Sequence, residues 1–325
     1  MSPIGKSKLV RNRRSSVRFV AVGLSLLLFV VPAGAGAQPP AAEELAAADP
    51  LTGPPLTTAK AWIIGDGKTG EPLWEHESHA VRNMASTTKM MTCWIVVELA
   101  RENEAVLDEV VTISERADKT SGSTADVRVG EKVSVRDLLY GLMLPSGNDA
   151  ATAFGEHFGD RFDPPEGKPE ADSLDRFIAE MNRRAKALEM RETKYLDPHG
   201  NSRNASSARD LFKLAWTARE NPLFREYVGT RSHACKIARP DGGERGVTWK
   251  NTNQLLAIEG FEGVKTGTTG AAGECLVSCG RRGEDCLLIV VLGSATGGGR
   301  YVDSRNLYRW AWRQRGHQQD AGTGR

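Results

Sequence analysis

The stretch Ser86-Thr87-Thr88-Lys89-Met90-Met91-Thr92-Cys93-Trp94-Ile95-Val96-Val97-Glu98-Leu99-Ala100 reads as a largely buried helix, apolar nearly throughout and free of Gly and Pro. Residues three apart share a helix face. Ser86 and Lys89 therefore point the same way, and the lysine amine reaches the serine hydroxyl. A serine hydroxyl is a weak nucleophile until a base takes its proton. A lysine amine becomes that base when burial or a second cation favours its neutral form. Ser86 also opens the helix, where free backbone N–H groups and the dipole favour developing negative charge. Alone, these residues more often describe an N-cap serine with a surface lysine one turn on.

Two companion segments decide between those readings. Ser146-Gly147-Asn148 follows a helix-like run at 135–144 (VRDLLYGLML) that Pro145 stops, and a second apolar stretch resumes at 149–158. Ser146 and Asn148 are thus expected on a short loop between two helices, able to hold a hydroxyl and an amide beside the nucleophile. By themselves they are also ordinary turn residues. Lys265-Thr266-Gly267 lies within 263–270 (GVKTGTTG), between a loop and a strand-like run at 274–279. A cation and hydroxyls can clamp a terminal carboxylate, and glycine on a strand marks close approach of another backbone. Lys265 is a candidate for the second cation that favours a neutral Lys89. Lys68-Thr69-Gly70 has the same letters but reads as a hairpin turn between strand-like 61–64 and 72–75.

The three segments, in this order, are the signature of penicillin-binding proteins and serine β-lactamases. Within that group the chain resembles the D-alanyl-D-alanine carboxypeptidases, the low-molecular-mass penicillin-binding proteins, from about residue 59 to about residue 312. The likeness runs through 85–92 (ASTTKMMT), 137–151 (DLLYGLMLPSGNDAA), Met181-Asn182, 193–200 (TKYLDPHG), 207–211 (SARDL) and 263–273. Met84 stands where the family usually has proline, and Asn201 where it usually has an apolar residue; neither bears a catalytic group.

The resemblance implies a mechanism. Ser86 attacks the carbonyl of the penultimate D-Ala of a peptidoglycan stem peptide, and Lys89 removes its proton. Ser146, with Asn148 fixing the substrate backbone and Lys89, relays a proton to the leaving D-Ala. Lys265 supports the field around Ser146. Thr266 and Thr268, beside Gly267, bind the terminal carboxylate, and Arg300 matches an arginine used near it. Arg300 also fits a surface arginine at a helix start. The backbone N–H groups of Ser86 and Thr268 form the oxyanion hole. No metal or organic cofactor is implied, and β-lactam antibiotics are the implied inhibitors. The implied fold is the α/β (α+β) architecture of serine β-lactamases, with the site between a sheet and a helical lobe.

The layout of the chain agrees. Strand-like runs cluster at 61–64, 72–75, 274–279 and 286–292, while helical patterns fill 86–218. That pattern predicts a mostly antiparallel sheet built from both ends of the domain, flanked by helices and with a helical lobe inserted. Residues 163–172 (DPPEGKPEAD) read as a surface insertion.

Composition points to export. Lys6, Lys8, Arg11, Arg13, Arg14 and Arg18 precede a 13-residue apolar core at 19–31, and 33–37 (AGAGA) offers a small-residue cleavage site before Gln38. That is a secretory signal, with an apolar core short for a membrane span. The expected organisation is a signal peptide at 1–37, a flexible linker at 38–58, the peptidase domain at 59–312 and a polar tail at 313–325. Without residues 1–37 the chain holds 37 basic against 41 acidic side chains, a formal charge of −4. No nucleic-acid partner is expected from that balance. The β-rich domain and membrane-binding helix that many relatives add are not expected after residue 312, nor is a stable membrane anchor after cleavage. The expected location is periplasmic or extracytoplasmic.

Five cysteines make no disulfide framework. Cys93 reads as core packing. Cys279 and Cys286 flank a hairpin turn, and a bridge between them is a hypothesis that thiol counting decides. The six histidines show no metal-ligand spacing, and His199 reads as structural. The alternatives to a carboxypeptidase are a DD-endopeptidase acting on crosslinks, a serine β-lactamase and a non-catalytic wall-binding module. Class A β-lactamases carry Ser-Asp-Asn where this chain has Ser-Gly-Asn. A binding module has no need of Ser86, Lys89, Ser146, Asn148 and Lys265 together.

Overall fold

The structure is a computed structural model and describes residues 53–317. The expected signal peptide, most of the linker and residues 318–325 lie outside the described residues. In chain order the elements are β1 (Ala61–Asp66), β2 (Pro72–His76), β3 (Arg82–Asn83), α1 (Lys89–Glu102), β4 (Val110–Thr112), α2 (Glu115–Asp118), β5 (Lys132–Ser134), α3 (Val135–Met143), α4 (Asn148–Phe158) and α5 (Ser173–Ala187). There follow β6 (Ala205–Ser206), α6 (Ala208–Ala218), α7 (Pro222–Gly229), β7 (Ser232–Ala238), β8 (Glu244–Lys250), β9 (Phe261–Thr269), β10 (Gly273–Arg282), β11 (Asp285–Ser294) and α8 (Gly299–Gln314).

The main sheet is antiparallel, in the order β2-β1-β11-β10-β9. It joins strands from both ends of the domain, as the clustering of apolar runs predicted. β11 is buried along nearly its whole length because both faces are covered. Leu288, Val290 and Leu292 alternate into the core shared with α1 and α6. Leu287, Ile289 and Val291 pack beneath Tyr301, Leu307, Tyr308 and Trp312 of α8. This two-residue alternation is the pleat of a strand. α1 is buried on all sides from Lys89 to Val97, which marks a helix at the centre of its lobe. Helices α3 to α7 pack around it.

The Lys68-Thr69-Gly70 segment is the expected turn, held by Asp66 Oδ1 accepting from the amides of Lys68 (2.8 Å) and Thr69 (2.9 Å). Other expectations are corrected. The helix begins at Lys89 rather than Ser86, because residues Ala85–Thr88 form a 3-10 turn. Asn148 is the first residue of α4, not a loop residue. Lys265-Thr266-Gly267 lies within β9 itself, not ahead of a strand. The stretch 86–218 is not wholly helical, since it carries β4, β5 and β6. A second sheet, β4-β5-β7-β8, was not anticipated. The alternation of β7 and β8 is between exposed and half-exposed positions, so little apolar periodicity marks them. α8 continues to Gln314, and beyond it Arg315 and His317 bind Asp285 (2.8 and 2.9 Å). Cys279 and Cys286 are free thiols with their sulfurs 3.4 Å apart.

Candidate active site

Ser86 is held in its 3-10 turn by backbone that only a crowded site enforces. Ala85 adopts φ +48°, a left-handed conformation that costs a non-glycine residue energy. Gly200 (φ +93°) packs against it so closely that a Cβ would lie 2.0 Å from Ala85 O. Asn204 ties the two segments together, its Nδ2 donating to Thr88 Oγ1 (3.1 Å) and Asp197 O (2.9 Å). Asp197 accepts from the amides of His199 (2.9 Å) and Ser202. Burial raises its pKa, yet the nearby His199 and hydrogen bonds from the Gly200 amide and from Ser202 keep it below the ordinary value.

That clamp fixes a carbonyl against Lys89. Lys89 Nζ lies 3.1 Å from Ser86 Oγ, 2.6 Å from Asn148 Oδ1 and 2.8 Å from His199 O. A neutral amine has two N–H donors and one lone pair. Two fixed acceptors, the amide of Asn148 and the carbonyl of His199, take the donors. In the neutral form that arrangement leaves the lone pair for the Ser86 hydroxyl. Burial pushes the Lys89 pKa well below its usual value, and Lys265 adds to the effect, against the opposing pull of Asp197 and Asp149. His199 itself stays neutral, since burial pushes its pKa down to about 4. Its carbonyl, rather than its ring, meets Lys89 Nζ.

Ser146 projects from the turn between α3 and α4 with φ +69°. Its Oγ accepts from Lys265 Nζ (3.0 Å). Lys265 is buried, and burial together with Arg300 lowers its pKa to about 7. Asn148 donates from Nδ2 to Ser121 O (2.6 Å) and from its backbone to Ser123 O (2.8 Å). Asp149 braces the same loop through Thr124 Oγ1 (2.6 Å) and Ala125 N (2.8 Å).

β9 closes the third side. Lys265 and Gly267 alternate onto one face. A Cβ on Gly267 would lie 3.0 Å from both Ser86 N and Met84 O, so the strand runs directly against the turn that carries Ser86. Thr266 Oγ1 pairs with Thr252 Oγ1 (2.7 Å). Thr268 Oγ1 donates to Glu274 Oε2 (2.7 Å), and Arg300 Nη1 donates to Thr268 Oγ1 (2.9 Å) and Gly267 O (3.2 Å). All nine expected residues therefore converge, in linked groups around Lys89, Lys265 and Arg300. Asp149, Asp197, Asn204 and Glu274 were not singled out as site residues. Asp149 follows Asn148 directly, and Asp197 precedes the His199-Gly200 segment, which were the available signals.

Among the described residues, two groups carry metal-ligand atoms within 4.8 Å of one another, Asp137–His233–Cys235 and Glu262–Cys279–Cys286. Their carboxylates are already engaged. Asp137 Oδ1 bonds His233 Nε2 (2.7 Å), and Glu262 is paired with Arg219 (2.6 Å) and Arg281 (2.8 Å). Neither group includes any of the nine expected residues.

A serine beside a buried amine, a second serine beside a second buried amine, and a strand edge carrying hydroxyls define a serine acyl hydrolase. The D-alanyl-D-alanine carboxypeptidase family matches residues 49–296, and the chain belongs to that family. A D-alanyl-D-alanine carboxypeptidase of Streptomyces sp. strain K15 is 36% identical over 270 residues, covering 81% of this chain and 89% of that protein. A D-alanyl-D-alanine endopeptidase of Pseudomonas aeruginosa is 30% identical over 310 residues, covering 93% and 89%. The crystal structure of the Streptomyces K15 DD-transpeptidase superimposes with a TM-score of 0.73 at 35% identity, covering 80% of this chain and 99% of that one. The fold is the transpeptidase-like arrangement of antiparallel sheets flanked by helices, and the chain is a serine hydrolase of the carboxypeptidase family.

Proposed function

We propose that Ser86 is the nucleophile, and that the enzyme removes the terminal D-Ala of peptidoglycan stem peptides through an acyl-enzyme on it. The observation that carries this reading is the position of the buried Lys89 Nζ, 3.1 Å from Ser86 Oγ and held there by Asn148 Oδ1 and His199 O. Lys89 takes the hydroxyl proton as Ser86 Oγ attacks the carbonyl of the penultimate D-Ala. The amides of Ser86 and Thr268 receive the oxyanion; the approach of β9 to the backbone of 84–87 at Gly267 supports that placement. Ser146 relays the proton from Lys89 to the leaving amine, which returns Lys89 to its neutral form, with the charge of Lys265 beside the relay. Thr266, Thr268 and Arg300 hold the terminal carboxylate. Water then cleaves the ester, and Lys89 serves again as base. A β-lactam acylates the same serine.

The enzyme acts outside the cytoplasm, exported by the segment 1–37 and released at Gln38. No helix among the described residues is long and apolar enough to cross a membrane. Activity on crosslinks is the second reading, supported by the likeness to the Pseudomonas aeruginosa endopeptidase.

Release of D-Ala from a diacetyl-Lys-D-Ala-D-Ala peptide, followed by a D-amino-acid oxidase assay, tests the reaction. One D-Ala per peptide is the expected yield. No release by folded enzyme would reject the carboxypeptidase reading.

A further inference from the structure

The residues assigned to the substrate's terminal carboxylate already hold a carboxylate. Glu274, near the start of β10 and directly across from Thr268 of β9, accepts from Thr268 Oγ1 at 2.7 Å. The same Oε2 lies 2.7 Å from Arg300 Nη1. Arg300 and Glu274 side chains are only 13% and 17% exposed, so water screens the pair little. The arginine is not placed by Glu274 alone. Nη1 also donates to Gly267 O and Thr268 Oγ1, and the guanidinium lies 5.2 Å above the Tyr301 ring. Its Nε is buried without an acceptor. An arginine fork suits two-point binding of a carboxylate, and here one point is taken from within.

We infer that Glu274 is a specificity-determining residue that competes with the substrate's terminal carboxylate for Arg300 and Thr268. The inference rests on the assignment of those two residues to the carboxylate. A peptide ending in free D-Ala must displace Glu274 or bind beside its charge. A terminus without a carboxylate, amidated or extended by further residues, meets no such competition. Glu274 thereby narrows the advantage of a free D-Ala terminus and lets the enzyme accept capped or extended leaving groups.

The test compares diacetyl-Lys-D-Ala-D-Ala with its C-terminal carboxamide, using the parent, Glu274→Gln and Arg300→Gln. Glu274→Gln is expected to lower KM for the free acid about tenfold, the worth of one charge-assisted hydrogen bond. KM for the carboxamide, and kcat for both, stay at the parental values. Glu274→Ala, with folding checked by thermal melting, repeats the comparison should the Gln variant fold poorly. An equal change for both peptides, or none for the acid, overturns the inference and leaves Glu274 a structural partner of Arg300. Arg300→Gln separates this from the underlying assignment. It is expected to raise KM for the acid and not for the carboxamide. Failure to do so removes the carboxylate site itself, and the inference with it.

Discussion

The central chemical problem at residue scale is to make a lysine into a base near neutral pH. An amine in water keeps its proton there. Lys89 loses that preference because its surroundings give a charge no water, and Lys265 adds repulsion. Both lysines cannot comfortably stay protonated, and their tasks differ. Lys89 must be neutral to take a proton, whereas Lys265 beside Ser146 assists by being charged. With its pKa at about 7, Lys265 is charged below that pH and neutral above it. The value of kcat/KM, which reports the free enzyme, should therefore decline as pH rises through about 7. The corresponding limb of kcat should lie higher, because a bound carboxylate favours the charged lysine. Lys265→Arg keeps the charge at all accessible pH and should remove the alkaline decline at a lower overall rate. Stopped-flow acylation across pH measures this. An unchanged alkaline limb in that variant would assign the decline to another group.

At the scale of elements, catalysis depends on how β9 meets the turn that carries Ser86. β9 is an edge strand of the main sheet. Its open side presents backbone groups to which an extended peptide can add. Gly267 permits contact because it has no Cβ to strike Ser86 N, Met84 O and Thr87 N, all backbone atoms within 3.1 Å of the place one would occupy. Gly267→Ala must part the strand from the turn by a few tenths of an ångström. It is expected to slow acylation by penicillin about ten- to a hundredfold, while costing about 1–3 kcal/mol of stability. Acylation kinetics and denaturant unfolding check the two figures. The sequence marked this glycine as a close-approach residue but placed the motif ahead of a strand. Thr266 and Thr268 suit a strand, but the flanking glycines read as loop. Similarly, nothing in Ser86-Thr87-Thr88-Lys89 announces a 3-10 turn; it arises from the clamp of Asn204 and Gly200 on Ala85, a contact across more than a hundred residues.

For the whole molecule, the two lobes place the site. A sheet drawn from both ends of the domain supplies β9, and the inserted helical lobe supplies Ser86, Lys89, Ser146 and Asn148. The sheet was legible because β1 and β11 are long apolar runs sheltered on both faces. The buried helix α1 was legible for the same reason. The β7–β8 hairpin was not, because its strands are half exposed and their alternation is correspondingly weak. The residues proposed as catalytic could be picked out because their chemistry restricts residue type. Their supports, Asp197, Asn204 and the carbonyl of His199, were not, because any polar group at the right distance can serve. The central claim is that Ser86, activated by Lys89, forms the acyl-enzyme. The most direct measurement is intact-protein mass spectrometry of the parent and Ser86→Ala after mixing with penicillin, with peptide mapping of the adduct. The account predicts one penicilloyl group per parent molecule, mapped to Ser86, and none on a folded Ser86→Ala variant. An adduct on any other residue, or one that persists in Ser86→Ala, would contradict it.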